Sequence, residues 1–227
     1  MEQIYAFPVS QPARAVVWLC KLNNHAIEIK TVNMQKGETK TETFKKEVSP
    51  IGKIPVMKDG DFMLTESHAI MIYLAEKHGW EQWYPRDPKV RARIHEYMNW
   101  HHHNARLSSE VFFNVLMKNL GRSTPAVEAS LKKKGRTVGA ILKILEFWLE
   151  REGNEYLASK LHPTLADMSC YNEVVQLEVM GELVGLETKY PKFFAWLKRM
   201  KSLPHHDEEL AGMMKFFHKF KLIPAKM

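Results

Sequence analysis

The stretch SPIGKIPVMKDGDFMLTES, residues 49–67, decides how the first third of the chain folds. Proline cannot donate to a β-ladder, and it pushes the residue before it into the extended region. Ile54-Pro55 therefore reads as the entry to a strand, Pro55–Met57. Asp59-Gly60 is a strong hairpin turn, and Phe62–Leu64 is the return strand. Glu66-Ser67 then opens a helix over roughly Ser67–Lys77, stopped by Gly79. A cis Ile54–Pro55 bond would turn the Ile54 N–H and C=O outward to pair with an extended peptide ligand. An edge-strand proline with no ligand is the plainer alternative.

Outward from this hairpin the same texture continues toward the start of the chain. Ile4–Phe7 is β-prone, and Pro12–Leu22 opens with Pro at a helix N1 position. Ala26–Val32 alternates like a strand, with Ile27, Ile29 and the Thr31 methyl on one side, and a polar helix lies around Glu42–Val48. The order β-α-β-α-β-β-α describes a small α/β sandwich. Beyond residue 87 strands disappear. Asp87-Pro88 starts a helix that runs through Tyr97 and Trp100 to Leu107, and a second spans Pro125–Glu152. Thr164-Leu-Ala-Asp167 resembles a capping box opening a third helix to Gly181, Tyr190-Pro191 begins a fourth, and a fifth runs near Asp207–Phe217. The domains expected are 1–79 (α/β), a linker at 80–87, and 88–227 (all-helical) with a basic tail.

Composition narrows the classes. The 227 residues are 45% hydrophobic and 26% charged, enough for a real core and too balanced for disorder. No apolar run approaches the ~20 residues of a membrane span, and the opening MEQIYAFPVSQPAR lacks the pattern of a secretory signal. Cys20 and Cys170 are too far apart in sequence to suggest a disulfide framework or zinc cluster. A cytoplasmic protein without membrane insertion is expected. The net charge of +7 concentrates after residue 80, with Lys215, Lys219, Lys221 and Lys226 in the tail. Solvated helix faces account for it, and no motif supports specific nucleic-acid binding.

Three features of the first domain point to one ligand. Ser10 precedes a helix, where a hydroxyl and the positive end of the dipole favour an anion such as a thiolate, although serine there is often only a cap. Ile54-Pro55 offers backbone to a peptide. Glu66-Ser67, at another helix start, suits an α-amino-acid head group, with Glu66 for the ammonium and the helix end for the carboxylate. Each alone also has a purely structural reading.

Together these residues resemble the soluble glutathione S-transferases, most closely the theta class and its serine-type relatives. The likeness is carried by SQPARAV at 10–16, SPIGKIPVMKDGDFMLTES at 49–67, YLAEKH at 73–78, WYPRDPKVRARIHEYMNWH at 83–101 and TLAD at 164–167. It implies a thioredoxin-like domain followed by a helical domain, a homodimer, and glutathione as co-substrate with no metal. It implies further that Ser10 stabilises the glutathione thiolate, with Gln11 beside it. Lys53, Ile54 and cis Pro55 would hold the cysteinyl backbone and glycyl end, and Glu66 and Ser67 the γ-glutamyl head. Arg106, in HHHNAR, would act as a second catalytic group. Thr39 falls where theta relatives often carry a glycyl-binding His, and Lys40 next to it is the alternative. His103 joins the substrate-binding positions. Tyrosine-type relatives carry their catalytic residue at the position of Ala6, and Tyr5 faces the other way. The implied reaction is attack of the thiolate on a small hydrophobic electrophile. Conjugation, dehalogenation and peroxide reduction all stay open, as does a non-catalytic module of the same fold.

The remaining motifs read as follows. His101-His102-His103 lacks the i, i+4 spacing of helical zinc ligands, and Cys20 is a small buried hydrophobe. Val111, Phe112, Val115 and Leu116 form a stripe for core, subunit contact or electrophile pocket. The tail Met213–Met227 is a lid, a docking helix or a frayed end.

Overall fold

A computed structural model describes residues 1–224. Four strands, β1 (Gln3–Ala6), β2 (Glu28–Thr31), β3 (Val56–Asp59) and β4 (Phe62–Thr65), form one sheet in the order β2-β1-β3-β4. β2 runs parallel to β1, while β3 and β4 are antiparallel neighbours. The helices α1 (Gln11–Leu22), α2 (Glu42–Glu47) and α3 (Ser67–Lys77) complete the expected β-α-β-α-β-β-α order, with two short 3-10 turns inserted at 34–40. Ile4 and Ala6 of β1 are buried, and Tyr5, on the other face, packs edge-on against Phe44 of α2. That alternation confirms that Tyr5 points away from the Ala6 side.

The shared side of β2 is not a core face. Ile29 and Thr31 are exposed on this edge strand, where with Ala6, Val17 and Gly212 they line a cavity of about 190 Å³. An edge strand pairs on one side alone, so an apolar alternation does not guarantee burial. None of Ser10, Ile54, Glu66 or Ser67 lines this cavity.

The chain divides into two compact units, Met1–Tyr84 with Pro204–Met213, and Pro85–Leu203 with the segment that starts at Met214. The second unit contains α4 (Pro88–His101), α5 (Leu107–Asn119), α6 (Pro125–Glu150), α7 (Leu165–Val179) and α8 (Pro191–Lys201). α9 (His206–Lys219) contributes residues to both units. One expectation fails here: the helix from Asp87 does not reach Leu107. It stops at His101, turns over residues 102–106, and restarts as α5. The Asn104 side chain bonds the Trp100 carbonyl at 2.8 Å, occupying an acceptor at the end of α4. A continuous helical pattern of side chains hid that break. The stripe Val111, Phe112 and Leu116 is buried inside this unit.

The capping box at the start of α7 is present, and it does more than cap. Asp167 Oδ2 accepts the Thr164 N–H at 2.8 Å, and Oδ1 accepts the Leu157 N–H at 2.9 Å and the Trp196 indole N–H at 2.8 Å. Burial raises the Asp167 carboxyl above its usual range despite these bonds. The tail is ordered as far as it is described. Phe217 is fully buried, stacked on Phe112 at 5.2 Å, and Leu222 is buried as well. A frayed end is therefore excluded for residues 213–222. Lys226, part of the basic tail, lies outside the described residues. Among the described residues no helix is long and apolar enough to cross a membrane.

Candidate functional site

Strand register brings the three separate motifs to one end of the sheet. Tyr5 pairs with Val56, and Val56 pairs with Thr65. The loop leaving β1, the segment entering β3 and the residues leaving β4 must therefore emerge side by side. Those segments carry Ser10, Lys53-Ile54-Pro55 and Glu66-Ser67. The Ile54–Pro55 bond is cis, and the ladder begins at Val56, so the Ile54 amide and carbonyl take no part in it.

Each segment is held by groups outside the motif. Arg14 of α1, 1% exposed, donates to the carbonyls of Val9 at 2.9 Å and Pro8 at 3.3 Å, and so holds the loop just before Ser10. Sequence reasoning overlooked Arg14, because one arginine among apolar helix residues gives no periodic signal. Gly212 packs so closely on the ring of Pro8 that any larger residue would collide with it. Before the cis bond, buried Ser49 accepts the Lys53 N–H through its hydroxyl at 3.3 Å. Gly52, at φ +61°, admits the Thr39 carbonyl, which would lie 2.8 Å from any Cβ there. Thr39 is accordingly buried, whereas Lys40 and Lys53 project into solvent.

The two residues at the helix starts behave unlike caps. Thr41, Asp87 and Thr124 each accept a hydrogen bond from their own helix's first turn. Ser10 and Glu66 occupy the same N-cap position on α1 and α3, yet neither side chain caps its helix. Glu66 also holds a left-handed φ of +66°, unfavourable for a non-glycine residue, and its side chain is exposed. Two polar side chains are thus left uncommitted beside two helix N-termini. Gln11, next to Ser10, is buried at the first position of α1.

Two stretches of sequence match models of known domains. Residues 4–83 match the glutathione S-transferase N-terminal domain and residues 112–206 the C-terminal domain. The chain belongs to the glutathione S-transferase family. It is 34% identical to glutathione S-transferase T1 of Arabidopsis thaliana over 91% of this chain and 86% of that one. It is 36% identical to human theta-2 over 86% of this chain and 78% of the relative. Against Arabidopsis thaliana glutathione S-transferase T2 it spans 36% of the relative's length. A crystal structure of human theta-2 in complex with glutathione and an unknown ligand superposes with a TM-score of 0.81 at 30% identity, covering 99% of this chain and 93% of that one. Theta-type glutathione transferase, with a thioredoxin-like domain followed by a helical one, is the class these relatives establish, and glutathione is its co-substrate.

The helical unit has its own polar centre. Arg106, at the end of the turn between α4 and α5, pairs with the buried Glu173 of α7 at 2.5 Å. Glu173 also accepts from the Ser109 hydroxyl at 2.8 Å, and His101 lies 3.8 Å away. Glu173, invisible to motif reading, is thus the anchor of Arg106. His101 is buried and bonded to Tyr97 at 2.9 Å, while His102 and His103 are exposed in the turn. Burial, with Glu2 and Glu209 adding to it, pushes the Cys20 thiol up to about 12, which leaves it protonated and inert.

Proposed function

We propose that the chain activates glutathione through Ser10 and adds its thiolate to small hydrophobic electrophiles. The observation that carries this reading is the uncommitted Ser10 hydroxyl at the N-terminus of α1, on a loop fastened by buried Arg14. A free thiol with pKa ~8.5 is mostly protonated at neutral pH. A hydroxyl donating to sulfur and a helix N-terminus both favour the thiolate, and each unit of lowering corresponds to about 1.4 kcal/mol.

The rest of the tripeptide follows the sheet end. The Ile54 amide and carbonyl, outside the ladder, would pair with the cysteinyl backbone. Glu66 would receive the γ-glutamyl ammonium, and the Ser67 hydroxyl with the N-terminus of α3 its carboxylate. Lys53 and Lys40, both solvent-facing, suit the glycyl carboxylate, and Thr39, next to Lys40, is buried. Gln11 orients the Ser10 segment. Arg106, held by Glu173, would be the second catalytic group, and His103 a further glutathione-binding residue. The thiolate then displaces a leaving group or adds to an electrophilic carbon, with no metal in the reaction. By the family likeness the protein works as a cytoplasmic homodimer.

The test is an ultraviolet difference titration of bound glutathione in wild type and Ser10→Ala. A thiolate signal at neutral pH that disappears in the variant, while glutathione still binds, supports the reading. A signal that survives removes Ser10 from the mechanism.

A further inference from the structure

At the opposite end of the sheet from Ser10, three side chains from distant parts of the sequence converge. Glu2 precedes β1, His25 lies in the loop before β2, and His78 ends α3. His25 Nε2 sits 2.5 Å from Glu2 Oε2, and His78 Nε2 lies 3.0 and 3.3 Å from the two Glu2 oxygens. The imidazole rings are 4.2 Å apart, with the Trp80 ring 5.4–5.5 Å from each. One ligand atom from each residue falls within 4.8 Å of the others. We propose that Glu2, His25 and His78 form a binding site for a divalent first-row transition-metal ion, best matched by zinc.

The donor set selects the metal class. Two imidazole nitrogens and one carboxylate oxygen suit zinc, nickel or copper rather than calcium or magnesium, which take oxygen ligands. Zinc bonds to nitrogen and oxygen at about 2.0–2.2 Å, so tetrahedral ligands lie roughly 3.3 Å from each other. Glu2 and His78 already stand at that spacing, and His25 needs to retreat by less than about 1 Å to reach it. Both rings present Nε2 to the carboxylate, so an ion would replace the Nε2 protons, and each ring would carry its remaining proton on Nδ1. Three protein ligands leave room for water in a fourth position. Glu2 is buried, and its charge already requires cationic or hydrogen-bonding partners in place.

A competitor is built in. Lys77 Nζ lies 2.8 Å from Glu2 Oε1, and it is also paired with Asp59. An ion on Glu2 would repel this ammonium, which can remain on Asp59. Removing the lysine charge should therefore strengthen metal binding, whereas a merely structural His-Glu-His cluster predicts no such gain. This site shares no residue with the glutathione site, so the proposal stands apart from the proposed function.

The experiment is calorimetric titration of chelator-treated protein with ZnCl2, run on wild type, His25→Ala/His78→Ala, Lys77→Gln and the control His205→Ala/His206→Ala. Circular dichroism confirms that each variant is folded. The expected result is one zinc per chain in wild type and the control, at least tenfold weaker binding without the two histidines, and several-fold tighter binding in Lys77→Gln. Cobalt added to wild type should give the visible absorption of a four-coordinate site. No binding, binding unchanged by the double histidine variant, or binding lost in the control would overturn the proposal. Should the double variant not fold, Lys77→Gln decides: unchanged or weaker zinc affinity overturns the proposal.

Discussion

The two ends of the four-stranded sheet use the same kinds of side chain in opposite ways. At the Glu2 end, polar groups meet each other: the carboxylate touches two histidines and a lysine, and Asp59 holds Lys77 and Tyr73. At the Ser10 end, neither Ser10 nor Glu66 caps its helix, and the hydrogen bonds that hold the segments come from supporting residues such as Arg14 and Ser49. One end joins distant segments of chain through its side chains; the other fixes its backbone through supporting residues and leaves the Ser10 and Glu66 side chains without a cap bond. Substitutions at the first end should therefore change stability, and substitutions at the second should change binding and turnover.

The largest test of that contrast is Glu2→Ala. It removes the buried carboxylate that His25, His78 and Lys77 share, leaving Lys77 with Asp59 alone, and should lower unfolding free energy by about 2 kcal/mol, read from urea denaturation, with turnover at saturating glutathione little altered. Ser10→Ala should do the reverse, with turnover at least tenfold lower, about 1.4 kcal/mol or more in activation free energy, and an unchanged denaturation midpoint. A large stability loss in Ser10→Ala would break the comparison. Glu66→Gly sharpens it, because relief of the left-handed φ should raise stability by up to about 1 kcal/mol while glutathione affinity falls. Calorimetric binding and thermal melts on the same sample would show the two signs together.

The smallest effect is one of pH. Burial alone would raise the Glu2 carboxyl, but hydrogen bonds from Lys77, His78 and His25 outweigh it and hold the carboxyl below its usual range. A depressed carboxyl contributes stability that is complete above the unfolded value near 4.5 and fades as pH falls through the folded value. In chelator, wild type should therefore lose part of its advantage over Glu2→Gln as pH drops below about 4.5.

How much of this was legible in the sequence depended on the range of the interaction. Turn and cap signals are local, so the Asp59-Gly60 hairpin, the Ser67–Lys77 helix and the Thr164-Asp167 box were readable residue by residue. Ser10, Ile54-Pro55 and Glu66 were readable as types, but only strand register shows that they share one end of the sheet. Buried charged residues outside any turn or cap pattern gave no signal: Arg14 holds carbonyls five and six residues back, and Glu173 holds an arginine 67 residues away. The break at His101 was missed because both flanking segments carry helical patterning. The alternation around Ile29 located β2 but could not say that its apolar side is exposed, since alternation cannot tell an edge strand from a central one.

Phe217 stacked on Phe112 has a practical meaning for anyone handling the protein. Asn119 clasps the carbonyl of Lys221 at 2.9 Å, and Leu222 is buried beyond it. Carboxypeptidase trimming should stall near this clasp, while a chain cut back before Phe216 would expose the Phe112 face and become sticky in solution. The safe place to attach an affinity handle is therefore after the clasp, never in place of it.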